Sequence, residues 1–313
     1  MQLVVIMDPV ATVKVDEDTT FALMLEAQSR GHALGYCEAR DVSFERGRVV
    51  ATVRPATVQR DPSAPIVLGP PARLDLGEAD AVLIRKDPPF DASYWWLTLL
   101  LEHLEGETLV VNRPRGLREA NEKLYALHFA AVMPETIVDA DKARIRRFVE
   151  AVGGRAVIKP IDGHGGEGVF ALVAHDPNLN GLIEAVTRGG REQAMVQAFI
   201  PEVAEGDKRI LLIDGEPLGA ILRVPQGGDV RSNIHVGGAV VHAEITAADQ
   251  RIIEAVAPRL RADGLWFVGL DVIGGLLTEV NVTSPTGIQQ MSRLSGESRE
   301  APVLDWIEAH ARA

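Results

Sequence analysis

The sequence predicts an α/β protein whose N-terminal part contains a parallel sheet. Short apolar runs alternate with helical patterns over the first 120 residues, which is typical of strands joined by crossover helices. The length of 313 residues indicates about two domains, or three lobes. Apolar residues make up 46% and charged residues 24% of the chain, as in ordinary globular proteins.

The elements of the N-terminal part follow from apolar runs and their ends. Residues 3–7 form an apolar run that ends at Asp8-Pro9, and residues 19–30 have helical spacing that ends at Gly31. Residues 45–76 look like an irregular hairpin and loop insertion. The remaining predicted elements here are strands at 33–38, 81–84 and 109–111 and a helix at 94–104.

After about residue 121 the pattern changes from alternating strands and helices to hairpins. Residues 225–238 are rich in Gly, Asn, Asp and Ser and have no periodicity, so they predict a mobile loop. The first predicted elements after residue 121 are a helix at 142–152 and a strand at 156–159. The other predicted elements are strands at 169–173, 208–213 and 217–224, a helix at 247–262, an apolar hairpin at 268–284 and a terminal helix at 303–311.

Composition excludes several classes of function. The net charge of −12 argues against a nucleic-acid partner, which needs a basic face. No apolar run reaches the roughly 18 residues that span a bilayer, and no basic segment precedes the first strand, so we expect neither a membrane segment nor a secretory signal. A single cysteine, Cys37, fits a cytoplasmic protein, and its strand-like surroundings favour a buried structural thiol over a catalytic one.

The hairpin at 268–284 carries oxygen-bearing side chains among Val, Leu and Ile. Glu279 and Asn281 are two residues apart and share a face of their strand, while Asp271 lies on the preceding strand. Such side chains suit Mg²⁺ or Mn²⁺, although an exposed sheet face would tolerate them equally. A two-residue turn at Gly274-Gly275 would put Asp271 and Glu279 on opposite faces. A metal site therefore requires an odd-length loop or a bulge.

The loop that begins at Lys159 has the composition of an anion-binding loop. Its sequence, Lys-Pro-Ile-Asp-Gly-His-Gly-Gly-Glu-Gly, brings flexible backbone N–H groups near a lysine that ends an apolar strand. A plain hairpin turn is the alternative, and His164 is expected to be a loop residue that lines the site rather than a base or a ligand. Lys123 is predicted at a helix start, where a solvated lysine is the default unless it faces Lys159 across a nucleotide.

Arginines lie on the predicted strands at 208–213 and 217–224, on the loop that follows them and at the end of an N-terminal strand. Arg209, Arg223 and Arg231 would bind carboxylates and phosphates if they face the hairpin with Asp271. Arg85-Lys86 follows the strand at 81–84, where ligands of open α/β sheets bind, so it suits a substrate carboxylate. Asp207 is expected to accept a ribose hydroxyl or to cap its strand.

These segments, in this order, resemble the bacterial glutathione synthetases of the ATP-grasp superfamily over essentially the whole chain. The two most specific are Arg-Lys-Asp-Pro-Pro-Phe-Asp at 85–91 and Thr-Glu-Val-Asn-Val-Thr-Ser-Pro-Thr at 278–286. The other matching segments are residues 7–11, 25–28, 121–124, 159–166, 206–209, 214–217, 225–228 and 267–274.

The resemblance implies a fold and an activity. The fold would be an N-terminal Rossmann-like domain at 1–120, an ATP-grasp lid subdomain at 121–202 and a catalytic subdomain at 203–313. The activity would be ligation of γ-glutamylcysteine to glycine with ATP, through an acyl phosphate that glycine attacks. No enzyme nucleophile is needed, so catalysis would consist of positioning and charge neutralisation. The resemblance also implies a homo-oligomer, either a dimer or a tetramer.

The resemblance assigns roles by position. Lys123, Lys159 and the glycine loop (Gly163, Gly165, Gly166) would bind the phosphates of ATP. The remaining assignments are Gln197, Phe199, Ile200 and Asp207 for the nucleoside, Asp271, Glu279 and Asn281 for Mg²⁺, Arg209, Arg223 and Asn233 for the acyl phosphate, and Arg85, Arg209, Ser284, Pro285 and Thr286 for the peptide.

Two other functions remain open from the sequence. An ATP-grasp ligase that adds another amino acid, such as glutamate, to a peptide or protein would keep the fold, but the segment at 85–91 argues against it. A non-catalytic nucleotide-binding module should lack the metal ligands or the phosphate lysines, and this chain has both.

Overall fold

The computed structural model describes residues 1–225 and 239–311, and every element named below lies within these ranges. The strands are β1 Gln2–Met7, β2 Ala33–Cys37, β3 Val42–Glu45, β4 Arg48–Val58, β5 Ile66–Leu68, β6 Ala72–Asp75, β7 Ala81–Arg85, β8 Leu109–Val111, β9 Thr136–Asp139, β10 Arg155–Pro160, β11 Phe170–Val173, β12 Ala194–Ala198, β13 Asp207–Ile213, β14 Glu216–Val224, β15 Ala239–Ala243, β16 Phe267–Ile273 and β17 Leu276–Asn281. The α-helices are α1 Thr19–Ser29, α2 Ala92–Leu101, α3 Pro114–Glu119, α4 Lys142–Ala151, α5 Leu179–Val186, α6 Ala247–Asp263, α7 Ile288–Ser295 and α8 Glu300–His310.

The first sheet is parallel at its centre, as the sequence predicts. Its order is β3-β4-β2-β1-β7-β8, and β1 runs parallel to both β2 and β7 while β7 runs parallel to β8. Strand β1 is buried from Leu3 to Met7, which explains its continuous apolar run. The carboxyl ends of β1 and β7 meet at one edge, where the backbone N–H of Asp87 donates to Asp8 Oδ2 over 2.7 Å.

The prediction of an irregular insertion at residues 45–76 is wrong. Strand β4 spans 11 residues and pairs antiparallel with β2, β3, β5 and β6, so the segment extends the first sheet. Only part of β4 alternates between buried and exposed side chains, and Pro55 interrupts its β-branched pattern. Its regular structure depends on partners that are separate in sequence, which a local pattern does not reveal.

The second sheet forms a lobe with its own core. Its order is β11-β10-β12-β9, all antiparallel, and α4 and α5 cover it. Ile145 and Val149, four residues apart on α4, pack against Ile158 of β10 and Ile183 of α5. Among the described residues this cluster is distinct from the cores that join the other two sheets. Lys159 and Gln197 therefore belong to a unit that packs separately.

The third sheet shares its core with the N-terminal sheet. Its order is β15-β14-β13-β16-β17, all antiparallel. Helix α6 covers it. At the start of this helix the Thr246 side chain accepts from the Asp249 backbone N–H and the Asp249 side chain accepts from the Thr246 backbone N–H, and Gly264 ends the helix with φ of 69°. Val4 of β1 and Leu212 of β13 belong to one buried cluster. The predicted domain boundaries at 120 and 202 stay predictions.

Two further expectations concern the cysteine and the membrane. Cys37 is fully buried, and burial raises the pKa of its thiol to about 12. A thiol of this kind stays protonated, which argues against a catalytic role for Cys37 and favours a structural one. Within the described ranges, every helix is too short or too polar to cross a bilayer.

Candidate active site

The hairpin of β16 and β17 has the register that a metal site requires. Its turn has two residues, Gly274 and Gly275, with φ of 57° and 75°. The pairing then shifts by one residue, because Val272 faces Leu277 whereas Asp271 faces Glu279. Thr278 is the bulged residue, and its hydroxyl donates to the Asp271 carbonyl over 3.1 Å. The bulge places Asp271, Glu279 and Asn281 on one face.

Two buried arginines converge on Asp271, one from the adjacent strand β13 and one from β14, which lies beyond β13. Arg209 of β13 is the cross-strand partner of Asp271, and its Nη2 lies 3.0 Å from Asp271 Oδ2. Arg223 of β14 lies 3.0 Å from Asp271 Oδ1 and 2.5 Å from Asp207 Oδ2. All four side chains are at most 10% exposed. The two arginines and two carboxylates thus form a compact network at the floor of a cleft.

The network shifts the pKa values of its two carboxylates in opposite directions. Burial alone would raise the pKa of Asp271, but the guanidiniums of Arg209 and Arg223 outweigh it and hold this pKa below its ordinary value. Burial raises the pKa of Asp207 to about 6, against the opposing charge of Arg223. Asp207 Oδ1 is buried and has no hydrogen-bond partner among the described residues. This oxygen is available to a ligand hydroxyl.

The raised pKa of Asp207 predicts a pH dependence of stability. The folded state binds this proton more tightly than the unfolded chain, so the contribution of Asp207 is largest at low pH and is lost as pH rises through about 6. A shift from 3.8 to about 6 corresponds to about 3 kcal/mol at most. We expect the free energy of unfolding of the wild type, relative to Asp207→Asn, to fall as pH rises through this window. Urea unfolding at several pH values measures it, and a rising difference would contradict the assignment.

Two lysines face the hairpin from the other side of the cleft. Lys123 is 5% exposed, and its Nζ lies 3.3 Å from Glu279 Oε1 while donating to the Gly163 carbonyl. Lys159 donates to Gln197 Oε1 over 2.7 Å. Burial, together with the charge of Lys123, lowers the pKa of Lys159, and Glu279 opposes this shift. The default of a solvated helical lysine is wrong for Lys123, because its side chain is buried and because residues 122–124 form a turn before the 3₁₀-helix Tyr125–Val132.

These groups line one cleft of about 630 Å³. It lies between the second sheet, which supplies Lys159 and the glycine loop, and the third sheet, which supplies the acidic hairpin. The predicted residues that line it are Lys123, Lys159, Gly163, Gly165, Gly166, Gln197, Phe199, Ile200, Asp207, Arg209, Arg223, Asp271, Glu279, Asn281, Ser284, Pro285 and Thr286. The loop residue His164 lines it as well.

Arg85 is a predicted site residue that is not among the residues lining this cleft. Arg85 is 5% exposed and lies behind the wall, where its Nη2 donates to the Pro285 carbonyl over 3.0 Å and its Nε to Thr20 Oγ1 over 3.1 Å. It supports the turn at 284–286, and its direct contact with substrate stays a prediction. Asn233 lies outside the described residues, as do Arg231 and residues 226–238 of the predicted mobile loop.

One end of the cleft is apolar, and two of the residues in its wall were missed in the sequence. The wall there includes Val157 and Ile273, and Arg155 lies over the Phe199 ring at 3.9 Å from its centroid. Strand periodicity was the available signal, because Val157 is two residues from Lys159 and Ile273 is two residues from Asp271. Other missed lining residues are Asp87, Pro88, Glu122, Pro134, Val203, Thr278 and Thr283.

The donor set of the hairpin fits a hard divalent cation. The Asn281 amide donates from Nδ2 to the Gly269 carbonyl over 3.3 Å, which assigns its Oδ1 as the remaining acceptor. Glu279 is partly exposed to the cleft. Over residues 1–225 and 239–311, no group of three His, Cys, Asp or Glu side chains is arranged for a metal. The hairpin instead offers two carboxylates and an amide, and Mg²⁺ completes such sets with phosphates and water.

Solved structures of low sequence identity share the fold. A D-cycloserine synthetase is 17% identical, with a TM-score of 0.65 over 97% of this chain and 99% of that protein. A RiPP-associated ATP-grasp ligase from Chryseobacterium gregarium is 15% identical, with a TM-score of 0.69 over 100% of this chain and 98% of that protein. These similarities establish an ATP-grasp fold.

Sequence comparisons establish the family. Residues 1–118 match "Prokaryotic glutathione synthetase, N-terminal domain" and residues 122–296 match "Prokaryotic glutathione synthetase, ATP-grasp domain". The glutathione synthetase of Gloeobacter violaceus is 45% identical over 100% of this chain and 98% of that protein. That of Rhodopseudomonas palustris is 45% identical over 99% and 98%. The chain therefore belongs to the prokaryotic glutathione synthetase family, whose two domains it contains in order.

Proposed function

We propose that this chain joins γ-glutamylcysteine to glycine with ATP, releasing glutathione, ADP and phosphate. The observation that carries the proposal is the shared cleft, in which the oxygen donors of β16 and β17 lie opposite Lys123 and Lys159. In this reaction the dipeptide carboxylate attacks the γ-phosphate, and the amine of glycine then displaces phosphate from the acyl phosphate. The chain has to bring these reactants together and balance their charges.

The cleft supplies positive charge from two sides. Lys123 and Lys159 would contact the phosphates of ATP from the lobe with the glycine loop. Arg209 and Arg223 would stabilise the charge that develops on the transferring phosphoryl group, because their guanidiniums are already fixed by Asp207 and Asp271. Such preorganisation avoids reorienting dipoles during the reaction. No protein nucleophile enters this scheme.

The hairpin would hold the divalent cation, Mg²⁺ or Mn²⁺. Asp271, Glu279 and Asn281 are its proposed ligands, and the cation when bound neutralises charge on the nucleotide phosphates. Asp271 is also held by Arg209 and Arg223. We therefore expect Glu279 and Asn281 to make the less hindered contacts with the metal.

The remaining binding roles divide the cleft into two ends. The apolar end, with Phe199 and Ile200 next to Gln197, would hold adenine, and Asp207 would accept a ribose hydroxyl. The other end, at Ser284, Pro285 and Thr286, would bind the peptide substrate, with Arg85 supporting that turn. Asn233 and the loop at 227–238 would shield the acyl phosphate from water.

Assembly and location are part of the proposal. We propose a homo-oligomer, dimer or tetramer, by analogy with the family. We also propose a cytoplasmic location, which is supported by a single buried cysteine.

The test is ADP release with γ-glutamylcysteine and ATP, with and without glycine. We expect turnover that depends on glycine and on Mg²⁺, with glutathione identified by mass. A parallel reaction with glutamate in place of glycine is the control. Turnover only with glutamate would favour a ligase for another acceptor, and nucleotide binding without turnover under any condition would favour a binding module.

A further inference from the structure

We propose that Glu122 is a positioning residue that holds the outer edge of β17, so that Glu279 and Asn281 stay aligned with Lys123 across the cleft. This inference rests on the proposed function, because it assigns Glu122 to the placement of the metal ligands. Glu122 lines the cleft and directly precedes Lys123, and the sequence pattern assigns a role to Lys123 alone.

The need for such a residue comes from the topology. Strand β17 is the edge of the third sheet in the described part of the chain, with β16 as its one strand partner there. Along an edge strand, alternate backbone groups point away from the sheet and need partners elsewhere. Glu279 and Asn281 face β16 in the ladder, opposite Asp271 and Gly269. The backbone N–H of Val280, between them, points away from β16, because it donates to a residue outside the sheet.

Glu122 meets these outward groups in the manner of a further strand. Its backbone carbonyl accepts from the Val280 N–H over 3.0 Å. Its Oε1 accepts from the Val282 N–H over 2.9 Å, from the Thr283 N–H over 3.0 Å and from the Thr283 hydroxyl over 2.8 Å. One residue thus fixes the chain on both sides of Asn281.

Asn112 completes the attachment from the N-terminal sheet. It is 4% exposed, and its Nδ2 donates to the carbonyls of Val282, over 2.9 Å, and Phe267, over 2.8 Å. Its Oδ1 accepts from the backbone N–H groups of Trp266 and Phe267, each over 2.7 Å. The N–H of Val282 is held by Glu122 and its carbonyl by Asn112. The end of β17 is therefore fixed from outside its sheet.

The same turn that presents Glu122 also presents Lys123. Because the two residues are adjacent, the bonds from Glu122 to Val280 and Val282 set where the Lys123 ammonium lies, 3.3 Å from Glu279 Oε1. Loss of these bonds should displace a phosphate-binding cation and two metal ligands together. Outer residues that orient ligands typically contribute 10- to 100-fold to metal affinity or activity.

The experiment compares Glu122→Ala, Glu122→Gln and a control, Glu300→Ala. All three side-chain bonds of Glu122 go to Oε1, which glutamine retains, so Glu122→Gln should recover most of what alanine loses. Glu300 is a buried carboxylate that likewise accepts hydrogen bonds, from Ser292 and Ser298, and it does not line the cleft. It controls for loss of stability alone.

The measurements are kcat, KM for ATP, the Mg²⁺ concentration for half-maximal rate, the Kd of ADP with and without Mg²⁺ by calorimetry, and Tm. For Glu122→Ala we expect a 10- to 100-fold loss in kcat and weaker Mg²⁺-dependent binding of ADP. Glu300→Ala should lower Tm without either change. If Glu122→Ala does not fold, Thr283→Val removes one of the three bonds and should move the same quantities in the same direction by less.

Two results would overturn the inference. One is a Glu122→Ala enzyme that differs from wild type only in Tm, as the control does. The other is a Glu122→Gln enzyme as impaired as Glu122→Ala, because charge rather than hydrogen bonding would then matter. If the wild type lacks glycine-dependent ADP release but Glu122→Ala still weakens Mg²⁺-dependent ADP binding, the proposed reaction fails and the positioning role stands.

Discussion

Replacing Glu279 by Gln is expected to lower kcat/KM by roughly 100-fold or more, about 3 kcal/mol of transition-state stabilisation. The substitution keeps the shape of the side chain and removes its negative charge. Glu279 lies opposite Asp271 on the shared face, and Lys123 approaches its Oε1 within 3.3 Å. A neutral amide would bind a divalent cation less tightly and would leave the ammonium without its counter-charge.

Steady-state kinetics at saturating and limiting Mg²⁺ measure this effect. Glu216→Gln is the matched control, since Glu216 is a highly exposed carboxylate that pairs with Arg261 on the surface. We expect its kinetics to match the wild type, because exposed ion pairs contribute little. Near-normal turnover of Glu279→Gln would mean that this strand face is only solvated and would remove the metal assignment.

Replacing Arg223 by Met is expected to lower the free energy of unfolding by about 3–5 kcal/mol. Arg223 is 4% exposed and lies between Asp207 and Asp271, so its removal leaves two buried carboxylates without a shared cation. The pKa of Asp207 should rise further, because Arg223 is the group that most opposes the effect of burial. Turnover should also fall, since the phosphoryl group loses a fixed cation.

Urea unfolding of Arg223→Met measures the loss of stability. Arg261→Met is the control, because Arg261 is 43% exposed and its ion pairs lie on the surface. We expect that control to cost about 1 kcal/mol or less. Adding Asp207→Asn to Arg223→Met should recover part of the lost stability, since it removes the buried carboxylate that had lost its ion-pair partner. If the losses in free energy of unfolding of the two single variants simply add in the double variant, Asp207 and Arg223 do not interact.

The fold was largely predictable where the signal is local. The buried run of β1 and the helical spacing of α1 each identify an element from its own residues. Strand β4 was missed because its order comes from pairing with other strands. Helix α7 was missed as well, since it is short and follows an irregular turn that the rest of the fold supports.

The candidate site was predictable in its residue types and less so in its contacts. Oxygen-bearing side chains on an apolar hairpin indicated a cation, and the structure supplied the bulge at Thr278 that makes the indication consistent. Glu122 carried no such signal, because its value comes from the unpaired edge of β17. Arg85 carried a signal for substrate binding, yet its described hydrogen bonds go to Thr20 and to the Pro285 carbonyl.

The sequence by itself determined the chemical groups of this protein, their order along the chain and the family to which they belong. Side-chain chemistry and strand periodicity are local properties, so they can be read without coordinates. Only the tertiary structure decided which groups meet: Lys123 with Glu279, and Arg223 with both Asp207 and Asp271. Such contacts depend on strand register and on the packing of separate sheets, where a shift of one residue moves every side chain to the opposite face.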